Sequence, residues 1–233
     1  MKKKLLAIFL SFGMVLCFAA CGNQQPVPDV EDDSEPVSGG WTVNEDLAEL
    51  ELSGSEADNF AAALESYEEN VGDVADLKPI SLMATMKDSG TSYVYLCKSE
   101  DGLSTLSFTT DENDKVGCVA VSDFDIADYT EDNDPIIDDG EISWEINEDQ
   151  PADISEEMQA IFDKPTADFT GSDITPIALL GTQVVAGTNY AFLCVGKTVT
   201  AEPVTNMQVV TIYVDPDGNA EINSICNLDM TRY

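Results

Sequence analysis

Two stretches of this chain combine residue types and spacing that could carry function: Gln183-Val184-Val185-Ala186-Gly187 and Asp215-Pro216-Asp217-Gly218. In the first, β-branched residues run into a glycine and then Thr188-Asn189-Tyr190, which is good hairpin chemistry. Glycine lets such a chain turn tightly with positive φ, and short apolar side chains give a low edge that can enter a narrow cleft. In the second, with Asn219 and Glu221, carboxylates on alternating residues could converge on a hard cation. The full EF-hand spacing is missing and the stretch falls at a two-strand turn, so turn chemistry is the plainer reading. Asp111-Glu112-Asn113-Asp114 occupies the equivalent turn earlier in the chain, with the same explanation.

The chain has no histidine. This excludes Ser-His and Cys-His nucleophilic machinery and removes the commonest ligand of catalytic zinc. Carboxylate-only chemistry survives that test, but no pair stands out among the 45 acidic residues. The sequence therefore points to a binding protein rather than an enzyme and implies no metal or cofactor.

A basic start at Lys2-Lys3-Lys4, an apolar run from Leu5 to Phe18 and the small residues Ala19-Ala20 form a signal peptide over residues 1–20. The run is short for a permanent membrane span. Phe18-Ala19-Ala20-Cys21 has the form of a lipobox, after which a bacterial lipoprotein is cleaved and acylated on its new N-terminal cysteine. Several acyl chains on Cys21 would anchor the protein stably, so the expected location is extracytoplasmic and membrane-tethered. Cleavage leaves seven basic against 45 acidic residues, a formal charge of −38. Such a polyanion lacks the cationic surface that binds phosphate backbones, which excludes nucleic acid as a partner. It also repels anionic headgroups, so membrane contact is expected through Cys21 alone.

Residues 21–40 hold Pro26, Pro28, Pro36, Glu31-Asp32-Asp33 and Gly39-Gly40 with few apolar groups, and form a tether. Beyond it the chain repeats itself. Trp41-Thr42-Val43-Asn44-Glu45-Asp46 recurs as Trp144-Glu145-Ile146-Asn147-Glu148-Asp149, and Lys78 to Lys98 aligns without a gap on Thr175 to Val195. Phe124-Asp125-Ile126 falls opposite Leu228-Asp229-Met230. The expected organisation is repeat 1 over 41–128, an acidic linker over 129–140 and repeat 2 over 141–233.

Each repeat reads as a short strand at its Trp, a helix and four strands. The first helix is expected to be capped by Ser55, with Phe60, Leu64 and Tyr67 on one face. The second is expected to be capped by Ser155, to bury Met158, Ile161 and Phe162, and to end at Pro165. In repeat 2 the strands are expected over 176–185, 190–195, 209–214 and 220–226. Their hairpins are expected at Ala186-Gly187-Thr188-Asn189 and at Asp215 to Gly218. The expected fold class is α+β, with one helix packed on a four- to five-stranded antiparallel sheet in each repeat.

Four cysteines remain in the body: Cys97, Cys118, Cys194 and Cys226. An even number outside the cytoplasm invites disulfides. In a meander, however, Cys97 and Cys118 fall on strands separated by a third, roughly 9.5 Å apart, beyond the about 7 Å that a bridge tolerates. The same holds for Cys194 with Cys226. Buried thiols are the favoured reading, with a bridge between repeats left open.

The run from Gln183 to Tyr190 resembles the reactive hairpin of the cystatin family, most closely its stefin branch. These are inhibitors of papain-like cysteine proteases, built as a sheet wrapped around a helix. The resemblance implies two tandem cystatin-like domains and a papain-like protease as partner. Gln183 and Gly187 would hold the loop's shape, and Val184, Val185 and Ala186 would meet the protease. The family's wedge has two further parts, for which Pro216 and Gly140 stand here. The Pro216 hairpin lacks the usual tryptophan and carries two added charges, and Gly140 lies in the linker rather than at a free end. Repeat 1 keeps only the glycine, in Met86-Lys87-Asp88-Ser89-Gly90, and is expected to be structural or to serve another partner. The rival to inhibition is a non-catalytic surface adhesion or scaffolding lipoprotein.

Overall fold

Strands that are apolar on both faces must be covered on both faces, and this requirement organises the molecule. A computed structural model describes residues 40–45, 52, 54–72, 76–130, 143–147 and 154–233. Cys21 and Gly140 lie outside them. In repeat 1 the elements are β1 (Trp41–Val43), α1 (Ser55–Asn70), β2 (Lys78–Lys87), β3 (Thr91–Ser99), β4 (Gly102–Thr110) and β5 (Val116–Asp123). In repeat 2 they are β6 (Glu145–Ile146), α2 (Glu156–Thr166), β7 (Ser172–Val184), β8 (Thr188–Thr198), β9 (Thr205–Val214) and β10 (Ala220–Asn227). Each set forms an antiparallel five-stranded sheet in simple sequential order, β1-β2-β3-β4-β5 and β10-β9-β8-β7-β6.

On β3, Val94 and Leu96 face one way, while Tyr93, Tyr95 and Cys97 face the other. On β8, Ala191, Leu193 and Val195 oppose Tyr190, Phe192 and Cys194. The first-named faces meet each other. Ile80, Met83, Leu96 and Phe124 of one sheet region share a single core with Leu180, Leu193, Val209 and Met230 of the other. The opposite faces are covered by the helices. Phe60 and Ala63 of α1 pack with Tyr95, Cys97, Leu106 and Phe108. Phe162 of α2 packs with Phe192, Cys194, Val210 and Ile212, its ring meeting that of Phe192 edge-on at 5.3 Å between centroids.

This corrects the expected fold class. The protein is mostly β, two antiparallel five-stranded sheets with one short helix on each, and not a pair of separate α+β cystatin-like domains. The physical reason is the second apolar face. A sheet that only wraps a helix could leave its outer face polar, whereas here that face carries leucine, valine and methionine and is buried against the other sheet.

Local expectations also shift. The α1 N-cap is Gly54, with no side-chain cap bond, and Ser55 is the first helical residue. Ser155 does cap α2, its Oγ accepting from the Met158 amide at 3.2 Å. Pro165 lies inside α2, which closes at Thr166. Thr188 and Asn189 belong to β8 rather than to the turn.

The outer edge strands β5 and β10 each carry a bulge, the first between Gly117 and Ala120, opposite Ser107 and Thr109 of β4, and the second at Ile222/Ser224. Cys118 sits in the first bulge at φ +48°. Bulges interrupt the regular edge and so discourage further strand pairing. The four body cysteines are free thiols. Cys97 and Cys194 are buried on the helix-facing sides of their sheets, Cys118 is exposed, and Cys226 is half-buried.

The two repeats are related by an approximate two-fold axis. Tyr129, in a short 3-10 turn after β5, is equivalent to Tyr233, and their hydroxyls lie 3.5 Å apart. A residue that meets its own equivalent lies at such an axis. Further contacts cross between the repeats in both directions, through residues that are not equivalents of one another. Lys98 Nζ donates to the Asn147 carbonyl oxygen at 2.9 Å beyond β6, and Lys197 Nζ pairs with Glu45 at 3.5 Å beyond β1.

Candidate functional site

Because consecutive strands of the second sheet are neighbours, the β7–β8 and β9–β10 hairpins emerge side by side at one end of it. Val184 pairs with Thr188, Thr188 with Val214, and Val214 with Ala220, so the two turns share one edge.

The first turn is three residues long, Val185 to Gly187, closed by the Val185 amide donating to the Gly187 carbonyl at 3.0 Å. Gln183 is only 3% exposed, and its Oε1 accepts from Asn189 Nδ2 at 2.7 Å across the hairpin. This bond ties the two strands just below the turn, on the side that faces the inter-sheet core. Val184 points the other way and is 73% exposed. Val185 is half-buried and Ala186 exposed. The turn thus presents an apolar tip on a base fixed by a buried amide pair.

Gly187 is required by close approach rather than by backbone angle. Its φ is outside the left-handed region, in contrast to the positive φ expected from the sequence. A β-carbon there would overlap the Val214 carbonyl oxygen and lie 2.8 Å from Cε2 and 2.9 Å from the hydroxyl of Tyr213. Gly187 therefore seats the Tyr213 ring and lets β8 approach β9. In repeat 1, Gly90 plays the same part against the Thr110 backbone, and its turn closes by the same bond, Asp88 amide to Gly90 carbonyl at 3.1 Å. There Lys87, Asp88 and Ser89 are exposed, so the same backbone shape carries a charged tip.

The second turn is built around Asp215. Its Oδ1 accepts from the amides of Asp217 at 2.9 Å and Asn219 at 2.8 Å, and its Oδ2 from Asn219 Nδ2 at 2.8 Å. The Asn219 side chain and these amides hold the carboxyl below its usual range. Gly218 takes φ +83°, which favours glycine. Lys164 of α2 donates to the Gly218 carbonyl, tying the hairpin to the helix. Pro216 and Asp217 are exposed at the tip. The Asp215 carboxylate is turned into its own loop instead of toward a cation. In repeat 1, Asp111 likewise accepts from the Asn113 and Lys115 amides. Among the described residues no group of three or more acidic, cysteine or histidine side chains is placed to hold a metal ion. Among them, too, no helix is long and apolar enough to cross a membrane.

Of the sequence-derived site residues, Gln183, Val184, Val185, Ala186, Gly187 and Pro216 come together at one edge. Asn189, Tyr213 and Lys164 belong to the same construction and were not singled out as site residues. Asn189 was legible as the cross-strand partner of Gln183 once Thr188 is placed in the strand. Tyr213 and Lys164 had no local signal, since they act through contacts with distant segments. No family model matches the chain, and no curated protein matches it.

Proposed function

We propose that the paired hairpins of repeat 2 form a rigid docking edge that plugs the groove of a papain-like cysteine protease reversibly. The protein carrying this edge is extracytoplasmic and held at the membrane by acyl chains on Cys21. The observation that carries this reading is the 73% exposure of Val184 at the tip of a hairpin whose base is fixed by the buried Gln183–Asn189 bond, next to the exposed Pro216 turn. An apolar side chain held out in water gains by entering an apolar cleft, and a pre-shaped hairpin loses little freedom on doing so. The protein acts as an inhibitor and catalyses nothing.

The test is a titration of papain and a cathepsin with the purified protein, read with a fluorogenic peptide. The expected result is dose-dependent inhibition that Val184→Glu weakens at least about tenfold, because a carboxylate would have to shed its water inside the cleft. Val184 is exposed, so that variant should unfold at the temperature of the unaltered protein. Absence of inhibition at micromolar protein would instead favour the second reading, a surface adhesion or scaffolding protein using this edge for another partner. The exposed Asp217, where the protease-binding hairpins of the cystatin family carry an apolar pair, favours that alternative.

A further inference from the structure

The docking edge is apolar on one hairpin and acidic on the other, and this division specifies the rim of the groove that could receive it. Val184 and Ala186 are exposed on the β7–β8 turn, which carries no charge from Gln183 to Tyr190. On the β9–β10 hairpin, Asp217 and Glu221 are exposed and Asp215 remains a carboxylate within its loop. The Lys164 ammonium is engaged with the Gly218 carbonyl on the α2 side of that hairpin. The chain as a whole carries a formal charge of −35. An apolar tip can insert without meeting its own charges, but the neighbouring hairpin must then lie against the groove's lip. A neutral or acidic lip would strip water from Asp217 without compensation or repel it, whereas a basic lip would compensate it.

We propose that the edge selects a partner whose apolar groove is bordered on one side by lysine or arginine, with Asp217 as the residue that reads this border. The inference rests on the docking reading above. It assigns to Asp217 selection and capture, and to Val184 the holding of the complex. Charges at the margin of an interface act mainly on the rate of encounter, and steering of this kind changes association rates by about 10- to 1,000-fold.

The experiment is the rate of onset of inhibition with papain-fold proteases of basic and of acidic groove rim, at low and at high salt. It uses the unaltered protein and its Asp217→Asn and Asp217→Lys variants. The Asp217 side chain is exposed and only its amide serves the turn, so both variants should keep the fold, which circular dichroism checks. Expected are faster onset on the basic-rimmed enzyme, about a tenfold loss of that rate in high salt, and about a fivefold loss in Asp217→Lys with little change in dissociation. Inhibition with equal onset on both enzymes, insensitive to salt and to Asp217→Lys, would overturn the rim preference while leaving the docking edge intact. No inhibition of either enzyme by the unaltered protein would refute the docking edge and the preference with it.

Discussion

Replacing Gly187 by alanine adds one methyl group at the point where β8 comes closest to β9, and the structure sets what that methyl must displace. The φ of Gly187 is outside the left-handed region, so the perturbation is steric. The Tyr213 ring, 2.8 Å from the new carbon, can swing aside, but the Val214 carbonyl oxygen moves only if the Thr188–Val214 pairing opens. Overpacking of this kind costs about 1–3 kcal/mol, and a lost ladder hydrogen bond about 1 kcal/mol. Alanine returns about 0.4–1 kcal/mol by stiffening the unfolded chain. The net is a destabilisation of about 2 kcal/mol, which for a unit of this size lowers Tm by roughly 4–8 °C. Gly90→Ala, with the Thr110 backbone carbon 3.1 Å from its methyl, should behave alike. The assay is thermal unfolding followed by far-ultraviolet circular dichroism and by tyrosine fluorescence, so that two probes report one transition. If Gly187→Ala unfolds at or above the temperature of the unaltered protein, then glycine is not there to let the strands close, and the seat inferred for Tyr213 is wrong.

Three further outcomes follow from burial. Among the four body cysteines, thiol reagent at mild pH should reach Cys118 first and Cys226 more slowly, and should reach Cys97 and Cys194 only after unfolding. Burial pushes the Cys97 thiol up to about 12 and raises Cys194 well above its ordinary value. The Cys97 contribution to stability is therefore complete below the unfolded thiol's pKa, near 9, and is lost as pH rises toward 12, and that of Cys194 changes in the same direction. Denaturant midpoints across that window would register the loss, and a flat profile would count against it. Phe162→Ala, which empties the space between α2 and Phe192, should destabilise by about 3–5 kcal/mol, measured by urea unfolding. A change below about 1 kcal/mol would mean that α2 is not part of the cooperative core.

Much of the local structure was legible because it rests on short-range chemistry. Alternation from Tyr190 to Val195 marked β8, Ser155 marked the start of α2, and Asp215 to Gly218 marked a turn. The strands run beyond their apolar stretches, since Ser172, Thr175 and Thr205 are polar yet extend the ladders by pairing with Thr198, Val195 and Lys197. The packing of sheet on sheet escaped a reading centred on the helix, although its signal was present: Ala191, Leu193 and Val195 are as apolar as the residues they alternate with, and one helix covers one face only. At the candidate site, the apolar tip and the glycine could be read locally. The reason for the glycine could not, because Tyr213 and Val214 lie a whole strand away.

The approximate two-fold axis has a consequence for how such a molecule can specialise. In a dimer of identical subunits, any change at a hairpin is made twice, and a charged tip on one side means a charged tip on both. Joining the halves in one chain removes that coupling while the shared core, where Ile80, Leu96 and Ile126 answer to Ile177, Leu193 and Met230, keeps the halves together. Selection on the core then acts on both copies jointly, and selection on the edges acts on each alone. The apolar turn at Val184 and the charged turn at Lys87 are what that freedom permits: one scaffold with two non-identical ends, each open to its own evolutionary course.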